Sequence, residues 1–258
     1  PDTNDAARLA DDPIHKLLLG RDPVDGEGLA SQPTLSRFEN STGRRDAYRL
    51  GEALMDVVVE HHRRRLKGVA VRRITIDLDV TDDPTHGGQQ LSLFNGFYGT
   101  WCYLPLLGFL SFDDEPEQFL FTAVLRNGTA PCKQGTLGIL KRVIARIGDL
   151  FPHVKILVRL DGGFLAPELL EFLEAAGVEY VVGMAKNPIL QRVVAKRMRG
   201  VRKKARRSGR TEHVYGSTRY AARTWLRRRR VIIKAEVTCL EGRIPRDNPR
   251  FVVTNLPG

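Results

Sequence analysis

The order and spacing of apolar residues predict an α/β fold, a mixed sheet flanked by helices. Three observations carry that prediction. From Val69 to Val80, β-branched residues alternate with polar ones, the period of a half-buried strand. Through the centre, segments run strand, strand, strand, helix, helix, strand, helix, strand, the succession of an α/β domain. The 258 residues are 42% apolar and 28% charged, enough for a sizeable core and too apolar for a disordered chain.

Residues 1–43 are short apolar pieces such as Ile14 to Leu19, broken by Pro, Gly and Asp. Leu50, Leu54, Val57 and Val58 fall at helical spacing, so a helix is expected from Arg44 to Leu66. Its basic last turn, His61 to Arg65, suits the negative end of a helix dipole, and Lys67-Gly68 ends it. Residues 1–68 are therefore expected to be mostly helical. In the strand that follows, Ile74, Ile76, Leu78 and Val80 alternate with Thr75, Asp77 and Asp79; aspartate is unfavourable in a strand unless it has a task. Asp82 to Gly88 is turn-like. Leu91 to Tyr98 and Trp101 to Leu110 predict two strands joined at Gly99-Thr100 as a hairpin. Pro116 to Arg126 and Gln134 to Leu150 predict helices, the second through Leu137, Leu140, Ile144 and Ile147. Val154 to Leu160 predicts a strand ending at Asp161, Pro167 to Ala176 a helix closed by Gly177, and Val178 to Met184 a strand. Val231 to Cys239 and Arg250 to Leu256 are again β-like.

Composition excludes several classes of function. No apolar run approaches the ~20 residues of a membrane span, and no segment at the start combines basic residues, an apolar stretch and a small-residue cleavage site, so secretion is not expected. Three widely spaced cysteines, Cys102, Cys132 and Cys239, fit neither a disulfide framework nor a zinc site, so a reducing, cytoplasmic setting is expected. No dinucleotide or phosphate-loop fingerprint occurs, and no Ser or Cys sits in a nucleophile context. The chain starts at Pro1 and ends at Gly258 after an apolar run, as expected of a fragment.

The net charge of +11 is concentrated. From Lys196 to Arg230 there are fifteen Lys or Arg and one acid, Glu212, so the remainder is close to neutral. One reading is a solvated surface insertion; the other is a phosphate footprint that gains affinity by releasing counterions from nucleic acid. Density favours the second, because fifteen clustered cations repel one another without a polyanion. Tyr215, Tyr220 and Trp225 suit either base stacking or the apolar side of short strands. The segment shows no amphipathic apolar face, which disfavours a membrane surface.

Two aspartates end their strands alike: Asp79 in Ile-Asp-Leu-Asp-Val-Thr (76–81) and Asp161 in Val-Arg-Leu-Asp-Gly-Gly-Phe (158–164). Strand carboxyl ends are where α/β sheets place ligands. Two carboxylates brought together there need a cation or a shared proton, and their hard oxygens suit Mg²⁺ or Mn²⁺. The alternative is that both simply cap loops or helices. Asp77 lies on the same strand face as Asp79, about 7 Å away.

Asp-Val-Thr-Asp-Asp-Pro-Thr-His-Gly-Gly-Gln (79–89), Phe-Asn-Gly-Phe-Tyr (94–98) and Tyr-Leu-Pro-Leu (103–106) resemble, in order, motifs of insertion-sequence DDE transposases. Arg-Leu-Asp-Gly-Gly-Phe (159–164), Tyr-Val-Val-Gly-Met-Ala-Lys-Asn (180–187) and Phe-Val-Val-Thr-Asn-Leu (251–256) continue the series. The group named for IS1380, in the IS4-like superfamily, is the most similar, and the resemblance runs from about residue 30 onward. It implies a ribonuclease H-like core at 69–186 with a β-rich, strongly basic insertion subdomain at 187–258, the core resuming after 258. It selects Asp79, with Thr81 two residues on, as the first catalytic acid and Asp161 as the second.

The resemblance further implies that Asp79 and Asp161 hold two Mg²⁺ or Mn²⁺ ions. A 3′ hydroxyl freed at the element's end would then attack target DNA in line. Arg202, Lys203, Lys204, Arg206, Arg207, Arg210, Arg227, Arg228, Arg229 and Arg230 would grip double-stranded DNA. Thr81, His86, Gln89 and Arg159 would support the acids or touch DNA. The partners are transposon ends and target DNA, with a second copy in a synaptic complex, in the bacterial cytoplasm at the nucleoid. The third acid is a Glu on a helix beyond the Thr-Asn-Leu stretch; none here matches it, and Glu236 and Glu241 fall in the insertion. A chain ending at Gly258 would therefore show little strand transfer. The competing readings are a non-catalytic DNA-binding relic or regulator of the same fold and, more distantly, another ribonuclease H-like nuclease or resolvase.

Overall fold

Short helices begin the chain, one of them with a capping aspartate. The structure, a computed structural model, describes residues 5–258; the first four residues of the expected helical segment lie outside the described residues. The chain divides into two units, residues 1–53 and 54–258. In the first, α1 (Ala6–Leu9), α2 (Pro13–Leu18) and α3 (Gln32–Ser41) precede the start of α4 (Arg44–Arg65). Pro13 opens α2, where a missing N–H costs nothing, and the Asp12 carboxylate accepts from the amides of Ile14 (2.9 Å) and His15 (3.0 Å).

The second unit is organised by β1 (Arg73–Val80). The next strands, β2 (Asp83–Pro84), β3 (Leu93–Asn95) and β4 (Thr100–Tyr103), form a small antiparallel sheet ordered β2-β4-β3. Then come β5 (Leu106–Phe112), β6 (Phe119–Val124), α5 (Thr136–Leu150), β7 (Lys155–Leu160), α6 (Pro167–Ala175) and β8 (Glu179–Met184). The chain closes with α7 (Pro188–Ser208), β9 (Glu212–Tyr220), β10 (Arg229–Thr238), β11 (Arg246–Asp247) and β12 (Arg250–Thr254). The main sheet has nine strands in the order β9-β10-β12-β8-β7-β1-β5-β6, with β11 on the same edge of β10 as β12. β1, β7 and β8 run parallel, and the other neighbours pair antiparallel. The mixed α/β sheet is the predicted fold class, and its β6-β5-β1-β7-β8 portion has the ribonuclease H-like order.

Period-2 alternation gives this sheet two unlike faces. Ile74, Ile76 and Leu78 of β1, Val158 and Leu160 of β7, Tyr180 and Val182 of β8, and Val231, Ile233, Ala235 and Val237 of β10 are all buried. They form one core with the apolar stripes of α5, α6 and α7. On the opposite face, Asp77, Arg159, Val181, Ile232 and Val252 are half-buried or exposed. The first is the helix face and the second the open face.

Three expectations change. Pro116 to Arg126 is not a helix: Phe119–Val124 pairs with β5 as its edge strand, with Phe121 buried and Leu120 partly exposed in strand alternation. The expected long strand from Trp101 to Leu110 breaks at Leu104-Pro105 into β4 and β5, because Pro105 has no N–H to give a ladder. The basic segment does have an apolar face, since Leu190, Val194, Met198, Val201 and Ala205 recur every three or four residues of α7 and are buried. Beyond α7, β9, β10, β11 and β12 join the main sheet.

At the β5–β6 edge, His62 of α4 is buried between Phe112 (ring centroids 4.6 Å) and Phe119 (4.0 Å). Its Nδ1 accepts from Arg65 Nε at 2.9 Å, and Arg65 also clasps Glu115. Burial, then the charges of Arg65 and His61, pushes the His62 ring down to about 4. In the unfolded chain it titrates near 6.5. Between those values the unfolded chain binds the extra proton, so this contribution is full above about pH 6.5 and is lost as pH falls toward 4. The urea midpoint should therefore drop between about pH 6.5 and 5, before most carboxylates titrate, and His62→Phe should flatten that slope. An equal slope in the variant would place the acid sensitivity elsewhere.

Candidate active site and basic surface

Parallel pairing of β1 with β7 runs from Arg73↔Lys155 to Leu78↔Leu160. The next residue on each strand is the aspartate, so Asp79 and Asp161 stand side by side at two carboxyl ends, on backbones about 4.8 Å apart. They line one open groove of about 490 Å³, together with Asp77, Phe109, Gln118, Arg159, Val181, Gly183 and Val252.

The three carboxylates in this groove are not equivalent. Asp77 pairs across the register with Arg159, whose Nε and Nη2 reach its two oxygens at 2.7 and 2.5 Å. That bidentate bond raises the Arg159 pKa above its ordinary value and leaves Asp77 neutralised. Asp79 and Asp161 are exposed and have no cationic partner among the described residues. Asp79 Oδ1 accepts from the Val80 amide and Asp161 Oδ1 from the Gly163 amide, each at 2.8 Å. Asp161 thus does cap a turn, yet among the described residues one oxygen of each carboxylate has no partner.

Glycine makes the Asp161 turn possible. A Cβ on Gly183 would lie 2.8 Å from the Gly162 amide nitrogen, and one on Gly163 would lie 2.8 Å from Cys132 Sγ. The chain therefore approaches β8 closely enough to hold Asp161 over the sheet.

Tyr98, on the turn between β3 and β4, also belongs to the neighbourhood. Burial, then the charges of Asp82, Cys132, Asp79 and Asp161, raises its hydroxyl pKa. Neither Tyr98 nor the Asp77–Arg159 pair was singled out as such from sequence; both depend on register and on a turn that brings distant residues together. Thr81, His86 and Gln89 do not line the groove. Thr81 hydroxyl bonds the Asp82 carbonyl at 3.4 Å, and His86 and Gln89 are exposed in the β2–β3 loop. Of the four expected supporting residues, only Arg159 reaches the groove.

Among the described residues, no three His, Cys, Asp or Glu side chains are clustered to hold an ion. The donor set is two free hard-oxygen carboxylates, which fits Mg²⁺ or Mn²⁺ but leaves coordination to be completed by other oxygens. Glu236, on the open face of β10, is tied to Lys234 and, at 2.9 Å, to Asn248; it is not at the groove.

The ten cations expected to grip DNA divide into two sets. Lys203, Lys204, Arg206, Arg207 and Arg210 are exposed, with no ion pair among the described residues. Arg202 is exposed and bound to Asp247, while Arg227 reaches Glu174 at 2.9 Å and Arg228 bonds the Arg219 carbonyl. Arg230 holds the Leu256 carbonyl at 2.9 Å. Arg229 is a correction: at 3% exposure no phosphate reaches it. It bonds both oxygens of Glu174 (2.7 and 2.9 Å) and lies 5.2 Å from the ring centroid of Trp225, itself buried. Burial alone would raise the Glu174 carboxyl, but hydrogen bonds from Arg229 and Tyr180 outweigh it and hold it below the usual range.

The model of the family described as transposase DDE domain group 1 matches residues 1–258. The chain belongs to the DDE transposase family. Among solved structures, the piggyBac transposase synaptic complex with hairpin DNA matches with a TM-score of 0.30 and 11% identity. That match covers 72% of this chain and 33% of the piggyBac chain, so this transposase domain spans about a third of that protein's length. No curated protein matches it.

Two outcomes test these placements. Gly183→Ala forces backbone apart at Asp161, so a cost of about 1–3 kcal/mol is expected in urea unfolding; a neutral variant would show that the close approach is not needed. Arg229→Ala removes two charged hydrogen bonds from the half-buried Glu174, which keeps Arg227 and Tyr180, and should cost about 1.5–3 kcal/mol. A loss below ~0.5 kcal/mol would return Arg229 to the surface set.

Proposed function

We propose that this transposase domain carries out metal-dependent cleavage and strand transfer at the ends of an insertion sequence, through Asp79 and Asp161. The observation supporting this most directly is the pair of free carboxylates on neighbouring strand ends, beside a third that Arg159 has neutralised. A nucleophile and a leaving oxygen on phosphorus both carry developing charge, which this site must offset. When bound, Mg²⁺ or Mn²⁺, as two ions, supplies that charge stabilisation and activates water. Asp79 and Asp161 would hold the metal through their free oxygens. Arg159 keeps Asp77 from competing for it, and Gly183 and Gly163 fix where Asp161 stands. The half-exposed apolar residues around the acids, Phe109, Val181 and Val252, suit cover by a further element, and chain beyond residue 258 would bring the third acid there. The DNA is duplex, and a synaptic homodimer is the expected working form.

A second reading, a DNA-binding relative without catalysis, is favoured by the lack of a third free carboxylate beside the pair among the described residues, since Asp77 is held by Arg159. Whether the natural reading frame continues past Gly258 into a Glu-bearing helix separates the two. In the natural full-length protein, Asp161→Ala should abolish Mg²⁺-dependent end cleavage, by at least ~10³-fold, while DNA affinity stays within about threefold. Surviving cleavage would overturn the site assignment; loss of binding alone would mean Asp161 serves structure.

A further inference from the structure

The cations of α7 lie on the other side of the sheet from the carboxylates. Buried Leu190, Val194, Met198, Val201 and Ala205 fix which way the helix faces. They pack in one core with Val231, Ile233, Ala235 and Val237 of β10. Gly216, paired with Ile233, lies so close to α7 that a Cβ there would sit 2.4 Å from Arg197 Nε. The helix therefore covers the helix face of β9 and β10. The groove of Asp79 and Asp161 includes Gly183 and Val252, paired with each other, and Val252 pairs with Ile232. Those residues point to the open face.

The helix itself sharpens the separation. It holds nine Lys or Arg and no acid. At ~100° per residue, Arg192, Lys196, Arg199, Lys203 and Arg206 form a line centred roughly 160–180° from the apolar stripe. That line is about 21 Å long. It stands at least one helix diameter, ~10 Å, beyond the sheet and faces away from it. Lys196, Arg199, Lys203 and Arg206 are exposed and make no ion pair among the described residues. In the sheet plane, β10 is three strands, roughly 14 Å, from β7. One stretch of straight duplex lying on the acids cannot also lie on this line.

We propose that the cationic line of α7 binds the phosphate backbone of a second duplex segment, separate from the stretch that lies on Asp79 and Asp161. This rests on the reading of the open face as the cleavage face. The two surfaces then divide the work: one receives the strand to be cut, and the other holds duplex on the opposite side of the same protomer. Clustered cations without counter-charges are suited to that role, because each phosphate contact releases condensed counterions whatever the sequence.

The test uses the full-length protein on a long duplex carrying the element's terminal repeat. A photo-crosslinking benzoylphenylalanine replaces Lys203 on α7 or, separately, Gln118 in the groove. Crosslinks to segments at least ~10 base pairs apart, or to different duplexes, are the expected result; the first places both segments on one molecule, the second on two. Crosslinks from both positions within the same ten base pairs would overturn the proposal. Crosslinks from 118 alone would also overturn it while leaving the cleavage face intact. Crosslinks from 203 alone would instead overturn the reading of the open face. In a parallel titration, Lys196→Gln, Arg199→Gln, Lys203→Gln and Arg206→Gln together should lower the slope of log affinity against log salt by roughly three to four units. An unchanged slope would remove α7 from DNA binding.

Discussion

The candidate site depends on the parallel register between β1 and β7. With Leu78 opposite Leu160, the two strand ends deliver Asp79 and Asp161 to one place, and Asp77 falls opposite Arg159. A slip of one residue would turn every side chain of β7 to the other face. Val158 and Leu160 would leave the core, and Arg159 would enter it. Apolar burial on the helix face thus fixes the positions of charges on the open face. Beyond that register, the site adds only the close glycine approach that holds the Asp161 turn.

The same alternation explains how one protein tolerates both acidic and basic surfaces. Carboxylates repel phosphate, and cations close by would bind the carboxylates instead. Asp77 illustrates the second effect, since Arg159 occupies it fully. Putting the dense cations on α7, behind an apolar layer and beyond the sheet, leaves Asp79 and Asp161 unpaired. Glu174 serves the same separation. Seated on α6 and bound to Arg229, Arg227 and Tyr180, it ties the arginine run that opens β10 to the core.

Much of this was legible in sequence because period and punctuation are local. The β1 alternation, the α5 and α6 stripes and the two strand-end aspartates all stand in windows of a few residues. The strand at 119–124 was not, because a dense apolar run looks alike in either period until its partner β5 is known. The apolar stripe of α7 was hidden for a different reason. Nine cations dominate the composition, yet five spaced residues, among them Ala205 and Met198, decide its packing. Arg229 is the instructive case: in a run of four arginines nothing local distinguishes the one that pairs inward. Only the alternation of β10 and the position of Glu174, fifty-five residues earlier, make it a core residue.

That buried pair also bears on why the basic segment is ordered at all. Like charges at this density favour expansion, and an isolated surface pair adds little against it. The opposing contributions here are of another kind: the α7 stripe buries apolar area against β10, and Glu174 compensates a guanidinium that burial would otherwise penalise. The exposed cations of α7 that make no ion pair among the described residues, Lys196, Arg199, Lys203 and Arg206, are carried by that order. Their positions are set before any polyanion arrives, so a bound duplex need not supply the cost of arranging them. The charge that first marks this segment in the sequence is a passenger on an apolar scaffold, and that is what allows it to face away from the acids.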